Sequence, residues 1–152
     1  MGRIAEFGPK MNGKALMRIN RSIPRCTVIP ELAYPDVTAA ADWLCRQFGF
    51  RVRLRIANHR VQLNVGDGAL VVTELRGKGV DQAHSMMVRV EDVDAHHERA
   101  SLGGAQILRA PADHPYGERQ YTAVDLGGHV WTFTQSIADV APEDWGGVSV
   151  EL

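Results

Sequence analysis

The stretch from Pro115 to Gln135, PYGERQYTAVDLGGHVWTFTQ, constrains the fold more than any other part of this 152-residue chain. Runs rich in β-branched and aromatic residues flank Asp125-Leu126-Gly127-Gly128. Such runs around a short Asp/Gly segment predict a β-hairpin. A looser copy, HRVQLNVGDGALVVTEL from His59 to Leu75, turns at Gly66-Asp67-Gly68. The chain therefore reads as one unit written twice, and a unit that cannot bury its own sheet face needs its copy.

Each unit follows the same plan. In the first, Thr27 to Tyr34 alternates, with Val28, Leu32 and Tyr34 on one side and Thr27, Ile29, Glu31 and Ala33 on the other. Pro35-Asp36 then opens a helix with Asp36 as N-cap, and Val37, Ala40, Ala41, Leu44, Cys45 and Phe48 form its apolar stripe up to Gly49. Phe50 to Ile56 reads as a strand leading into the first hairpin. In the second unit, His84 to Val90 is a strand with Met86, Val88 and Val90 on one face and Ser85, Met87 and Arg89 on the other. Glu91-Asp92-Val93-Asp94 opens a helix, and Asp92 lies 56 positions after Asp36. That helix closes at Gly103-Gly104, Ala105 to Leu108 is a strand, and a loop from Arg109 to Glu118 leads into the second hairpin. The fold class is α+β: two βαβββ modules in tandem, at about 26–76 and 82–136, inside a domain spanning 26–138. Arg76-Gly77-Lys78-Gly79 reads as a plain connector, because no strand-to-helix context makes it a phosphate loop.

Composition narrows the function classes. A formal net charge of -1 argues against a protein that works mainly by attracting phosphate, so nucleic acid is not an expected partner. Residues 1–25 are basic and aperiodic, and read as a flexible leader or as a basic arm. Cys26 and Cys45 make neither a CxxC pair nor a disulfide framework, and no apolar run reaches the roughly 20 residues that span a bilayer. A cytoplasmic protein that does not enter the membrane is the expectation. Residues 139–152 form a C-terminal tail whose Trp145 must cover either the domain's flank or a second subunit.

Two βαβββ units, with Asp36-Val37 through Phe48-Gly49-Phe50, Glu91-Asp92-Val93-Asp94, Pro115-Tyr116-Gly117-Glu118-Arg119 and Asp125 through Phe133, resemble the vicinal oxygen chelate superfamily. Within it the chain is similar to the glyoxalase/bleomycin-resistance proteins, especially the PhnB-like branch. Leu126-Gly127 departs from the branch by replacing Pro-Asp or Pro-Glu in the turn. The resemblance implies a curved mixed sheet around a shared cavity with the helices outside, and a homodimer. It does not fix the chemistry, since this fold hosts lyases, isomerases, dioxygenases, thiol transferases and drug binders.

Metal enzymes of the superfamily carry His and Glu ligands on the first and last strand of each unit, leaving an open coordination position. Here those slots fall on Ile29, Ser85, Thr132 and Val72, with Glu74 two residues beyond Val72. Isoleucine and valine cannot bind a metal, and serine and threonine are poor ligands. No metal and no cofactor are expected. The histidines do not rebuild the site: His96 and His97 splay by roughly 100° on a helix, His84 points away from Ser85, and His129 follows the turn glycines. A site from Glu74, His59 and Glu31 is the remaining way to hold an ion.

If Ile29 and Thr132 face the cavity, their period-two neighbours do too. A four-residue turn at Asp125 to Gly128 pairs Tyr121 with Thr132, so Arg119, Tyr121, Thr132 and Thr134 are expected inside, over Met87, Arg89, Glu31 and Ala33. The same arithmetic puts Val61 and Leu63 inward and Arg60, Gln62 and Asn64 toward the helix. Glu31, Met87, Arg89, Tyr116, Arg119, Tyr121 and Thr132 are then the ligand-binding candidates, with Tyr116 as a lid or a plain loop aromatic. An apolar pocket with a few charged anchors suits a small organic ligand. Three functions follow: metal-free sequestration of an aromatic or cationic compound or antibiotic, metal-dependent catalysis with displaced ligands, and acid/base catalysis by Glu31 near Arg119.

Overall fold

The computed structural model describes residues 20–77 and 84–149. The leader up to residue 19, the connector from Lys78 onward and the last three residues of the tail lie outside them. The element order is β1 (Glu31–Tyr34), α1 (Val37–Phe48), β2 (Arg51–Ile56), β3 (Arg60–Val65), β4 (Gly68–Glu74), β5 (Ser85–Arg89), α2 (Val93–Leu102), β6 (Gln106–Asp113), β7 (Glu118–Val124) and β8 (Val130–Ser136), followed by a 3-10 turn at Pro142–Trp145. Two four-stranded mixed sheets result, ordered β1-β4-β3-β2 and β5-β8-β7-β6. In each, the first strand runs parallel to the last and the other pairs are antiparallel. The tandem βαβββ expectation holds.

The helices start and stop where the sequence places them. Asp36 and Asp92 sit in extended backbone and accept from the amides of Ala39 and Ala95 at 2.9 and 3.0 Å, satisfying otherwise orphaned first-turn donors. Gly49 ends α1 at φ 77°, where a side chain would be strained. The α1 stripe of Val37, Ala40, Ala41, Leu44 and Phe48 is buried as predicted, each larger side chain worth roughly 1.5–3 kcal/mol of burial. Cys45 packs partly buried against this core, and burial raises its thiol above the usual value. β1 begins four residues later than expected, with Val28 77% exposed. β6 runs through to Asp113, because register shifts beyond Ile107 carry the strand past Pro111; the expected long loop shrinks to His114–Gly117.

One core serves both units. Leu32, Tyr34, Val61, Leu63, Leu70 and Val72 of the first sheet join Tyr121, Ala123, Trp131 and Phe133 of the second in a single buried cluster under both helices. Phe48 lies at its centre, with ring centroids 5.6 Å from Trp131 and 4.8 Å from Phe133. Arg99 of α2 donates to the carbonyls of Arg46 (2.8 Å) and Cys45 (3.5 Å), so one helix caps the other's C-terminus. Val61 and Leu63 therefore face the helices and Arg60, Gln62 and Asn64 face away, the reverse of the expectation for the first hairpin.

The two units are clamped at the turn between β7 and β8. Asp125, 6% exposed, accepts from Tyr34 Oη (2.5 Å), Trp131 Nε1 (2.9 Å) and the amides of Gly127 (2.9 Å) and His129 (3.0 Å). His129 Nε2 lies 2.8 Å from the carbonyl of Ala33 on β1, adding a second tie between units. Gly127 is required here, since a Cβ would come within 2.4 Å of the Tyr34 ring. A second junction is made by His96 of α2. Its Nε2 faces the Phe48 carbonyl (3.0 Å) and so carries the proton, leaving Nδ1 to accept from Tyr121 Oη (2.6 Å).

We predict that Asp125→Ala costs about 3 kcal/mol or more, because it leaves the Tyr34 hydroxyl and Trp131 indole without their buried acceptor. Urea unfolding of the variant against wild type measures this, and Asp125→Asn is expected to lose less. The second prediction concerns pH. Burial first, with the Arg99 charge adding to it, lowers the His96 pKa below its usual 6.5 despite the Phe48 carbonyl bond that opposes the shift. The unfolded chain then binds the proton more readily, so stability rises with pH; the His96 contribution is present above about 6.5 and is lost as pH falls toward the lowered native value. Unfolding free energies at pH 7.5 and 5.5 are expected to differ more in wild type than in His96→Gln.

Candidate functional site

Each sheet has one face on the helices and one turned away from them. On the second sheet this open face is set by the pairings Met87 with Thr132, Arg89 with Thr134, Thr122 with Thr132 and Gln120 with Thr134. Its centre is a chain of polar contacts. Tyr116 Oη donates to Gln120 Oε1 (2.7 Å), Gln120 Nε2 to Thr134 Oγ1 (3.0 Å), and Thr134 Oγ1 to Glu118 Oε2 (2.6 Å). Ser136 Oγ donates to the other Glu118 oxygen (2.6 Å), and Arg89 reaches both Ser136 and Glu118, the latter at 3.6 Å. The hydroxyls of Ser136 and Thr134, more than the Arg89 charge, hold the Glu118 carboxyl below the usual range and keep it ionised. Thr122 and Thr132 make a hydroxyl contact at 3.2 Å alongside.

Beside this face runs a cleft of about 260 Å³ between β5 and the β3–β4 turn, where Asp67, Leu70, Met86, Val88 and Trp131 join Met87 and Arg89. Met87 is 65% exposed and Arg89 67% exposed along its side chain, so both reach solvent where the open face meets the cleft. In the β6–β7 turn, Tyr116 is stacked on His114 at 5.1 Å and covered edge-on by Trp145 at 5.6 Å. The tail's tryptophan thus covers its own domain. The tail is anchored at Gly117, whose carbonyl accepts from the amides of Ile137 (2.8 Å) and Ala138 (3.2 Å).

Of the residues predicted for a ligand site, Met87, Arg89, Tyr116 and Thr132 come together on this surface. Arg119 and Tyr121 do not. The β7–β8 turn takes five residues, Asp125 to His129, so Tyr121 pairs with Phe133 instead of Thr132. A one-residue change of register moves every side chain of the strand to the other face. Tyr121 is therefore buried against α2, and burial alone pushes its hydroxyl above the usual value. Arg119 makes forked contacts to Asp94 of α2 and a bond to Asp113 of β6 (2.9 Å). Glu31 lies on the open face of the first sheet, paired with Arg60. Acid/base work by Glu31 beside Arg119 has no geometric basis, since the two sit on different sheets and opposite kinds of face. Glu118, expected only as the end of the loop before the second hairpin, occupies the centre instead. Its separation from Thr134 and Ser136 in the chain gave no local signal.

A divalent ion does not fit these side chains. No group of three His, Cys, Asp or Glu converges among the described residues. Ser85 and Thr132 face the open side of the second sheet, while on β4 the open-face positions are Val71 and Thr73; Val72 and Glu74 turn to the helix face. Glu74 and Glu31 thus lie on opposite faces and His59 sits in the exposed β2–β3 turn, which separates the three residues of the displaced-ligand site.

Residues 22–133 match the family model for the Glyoxalase/Bleomycin resistance protein/Dioxygenase superfamily. The chain belongs to this superfamily. Among solved structures it is similar to TioX from Micromonospora sp. ML1, at 36% identity over 76% of this chain and 100% of that one, with a TM-score of 0.63. A glyoxalase-related enzyme from Fulvimarina pelagi shares the fold at a TM-score of 0.62 and 19% identity, over 74% and 88% of the two chains. An uncharacterized protein of Mycobacterium tuberculosis is 28% identical over 131 residues, covering 73% of this chain and 75% of that protein. No helix among the described residues is long and apolar enough to cross a membrane.

Gly117 gives a test of how the tail borders the site. Its φ is 81°, and a Cβ there would come within 2.2 Å of the Ala138 carbonyl oxygen. Gly117→Ala is expected to cost about 1–3 kcal/mol through backbone strain and the lost contact, and to release the tail. Chymotryptic cleavage at Trp145 should then be faster in the variant under native conditions.

Proposed function

We propose that this superfamily member is a metal-free binding protein that sequesters a small aromatic or cationic organic compound, an antibiotic among the candidates, on the open face of its second sheet and in the cleft beside β5. The observation that carries the reading is the donor set. The superfamily's ligand slots hold Ile29, Ser85, Thr132 and either valine, and the one carboxylate at the centre, Glu118, has both oxygens engaged by Ser136, Thr134 and Arg89. A carboxylate held in this way is poorly placed to ligate a metal ion but well placed to orient an organic cation at the edge of the network.

The remaining surface suits an organic ligand. Met87 offers a flexible, polarisable contact, Met86, Val88 and Trp131 supply the apolar wall of the cleft, and Arg89 and Asp67 give charge of both signs at its mouth. Tyr116 flanks the site in the lid position. The Pro115-Tyr116-Gly117-Glu118-Arg119 motif supports a place in the PhnB-like branch. We further propose a homodimer, in which a second protomer laid over this open face buries more of the ligand, and a cytoplasmic location, in keeping with the free thiols of Cys26 and Cys45.

A thermal-shift screen against aromatic and cationic compounds, antibiotics included, tests the reading. At least one compound is expected to raise the melting temperature of wild type by several degrees, and by much less in Arg89→Ala and Glu118→Gln. Elemental analysis of protein purified without chelator is expected to find no stoichiometric metal. Stoichiometric Ni, Zn, Fe or Mn would overturn the proposal.

A further inference from the structure

The open face of the first sheet is partly covered. Residues Asn20 to Cys26 cross it, and Pro24 is buried there. They are held by main-chain carbonyls: Arg53 Nη2 donates to Arg21 O and Ile23 O, both at 3.1 Å, and Gln62 Nε2 donates to Ser22 O at 2.8 Å. Three consecutive carbonyls are thus read by two side chains that also bond each other, Arg53 Nη1 to Gln62 Oε1.

Both side chains are placed for this by the backbone. Arg53 lies at the register shift between Val52 and Leu54, where β2 carries one residue more than β3. A bulge of this kind re-aims a side chain, and here the guanidinium is brought over Gln62 on the neighbouring strand. Gln62 is only 3% exposed although it stands on the sheet face without helices. Without the strap, its amide N–H and the guanidinium's second nitrogen would have no partner among the contacts described, and a buried amide without one is costly. At the corresponding place in the second sheet stand Thr122 and Thr132, which bond each other and need nothing laid over them.

We infer that Arg53 and Gln62 form a seat for peptide-type carbonyl groups, occupied in this chain by its own residues 20–26, which act as a displaceable strap over the first unit. The seat takes carbonyl oxygens because it offers N–H donors in a row, from the Arg53 guanidinium and the Gln62 amide. A segment tethered next to its seat has an effective concentration in the millimolar range, so a ligand in solution reaches the face only when the strap is weakened. This inference concerns the first sheet and stands independently of the ligand proposed for the second.

The experiment uses the full chain and two variants, Pro24→Asp to weaken the strap and Arg53→Ala to weaken the seat, with circular dichroism confirming that both fold. Brief trypsin treatment reads the strap through cleavage after Arg25. Both variants are expected to be cut at least tenfold faster than wild type; equal rates in all three would overturn the strap. A capped peptide of residues 20–26, under reducing conditions, is expected to bind Pro24→Asp in calorimetry and not wild type or Pro24→Asp/Arg53→Ala. Fast cleavage of Pro24→Asp without peptide binding would overturn the seat.

Discussion

The carboxylate of Asp125 is the contact on which the joining of the two units depends. It is buried, it has four donors, and none of them is a charged side chain. A buried ion tolerates such a place only when its lone pairs are filled by hydrogen bonds. Two of the donors are the amides of its own turn, so the turn shapes itself around the carboxylate. The other two come from Trp131 on β8 and from Tyr34 on β1 of the other unit. The Tyr34 hydroxyl is held protonated, first by its burial and then by the adjacent Asp125 charge. Turn geometry, core packing and the inter-unit joint are thus satisfied by one group, and Gly127 is the residue that leaves room for it.

The duplication makes the missing counterpart of this clamp informative. At the matching joint, β5 meets the β3–β4 turn, where Val90 stands in place of Tyr34 and Val65 in place of Asp125. The turn has only Gly66 and Asp67 between its strands. Val90 is smaller than Tyr34, and among the described residues a cleft lies beside β5 at this joint. The first joint closes the core; the second leaves an apolar gap bounded by two charged residues. The difference between Tyr34 and Asp125 at one joint and Val90 and Val65 at the other accounts for the position of the cleft.

The sequence made the elements legible and the faces only partly so. Helix ends were readable because Asp36, Asp92 and Gly49 satisfy backbone groups locally, and a local requirement leaves a local signature. The facing of β7 was misread because it hangs on turn length. A four-residue turn and a five-residue turn fit the same Asp-Leu-Gly-Gly-His string, and the choice is made by Asp125 needing Tyr34, ninety-one positions earlier in the chain. That error carried Arg119 and Tyr121 into the expected ligand site and hid Glu118. Met87, Arg89 and Thr132 were placed on the right face because β5 is short, parallel to β8 and has no turn of its own to fix. Gln62 was misplaced for the opposite reason. Its burial comes from a strap lying outside the repeat, and a period-two reading takes a polar alternating set on an antiparallel strand at face value only when the partner face is known.

The two open faces show what a duplicated sheet does with side chains that no helix covers. On the first, the polar row of Arg53, Gln62, Arg60 and Glu31 is closed by internal pairing and by the carbonyls of residues 21–23. On the second, the row from Ser136 to Gln120 is closed by hydroxyl and amide hydrogen bonds around Glu118. Both solutions satisfy these polar groups within the chain, and among the described residues no three His, Cys, Asp or Glu side chains converge. What they leave accessible differs: the strap covers the part of the first face around Gln62, whereas the second ends in the exposed side chains of Met87 and Arg89 beside the cleft. Two units of one plan thus carry, through a bulge at Arg53 and a clamp at Asp125, one partly covered surface and one presented surface.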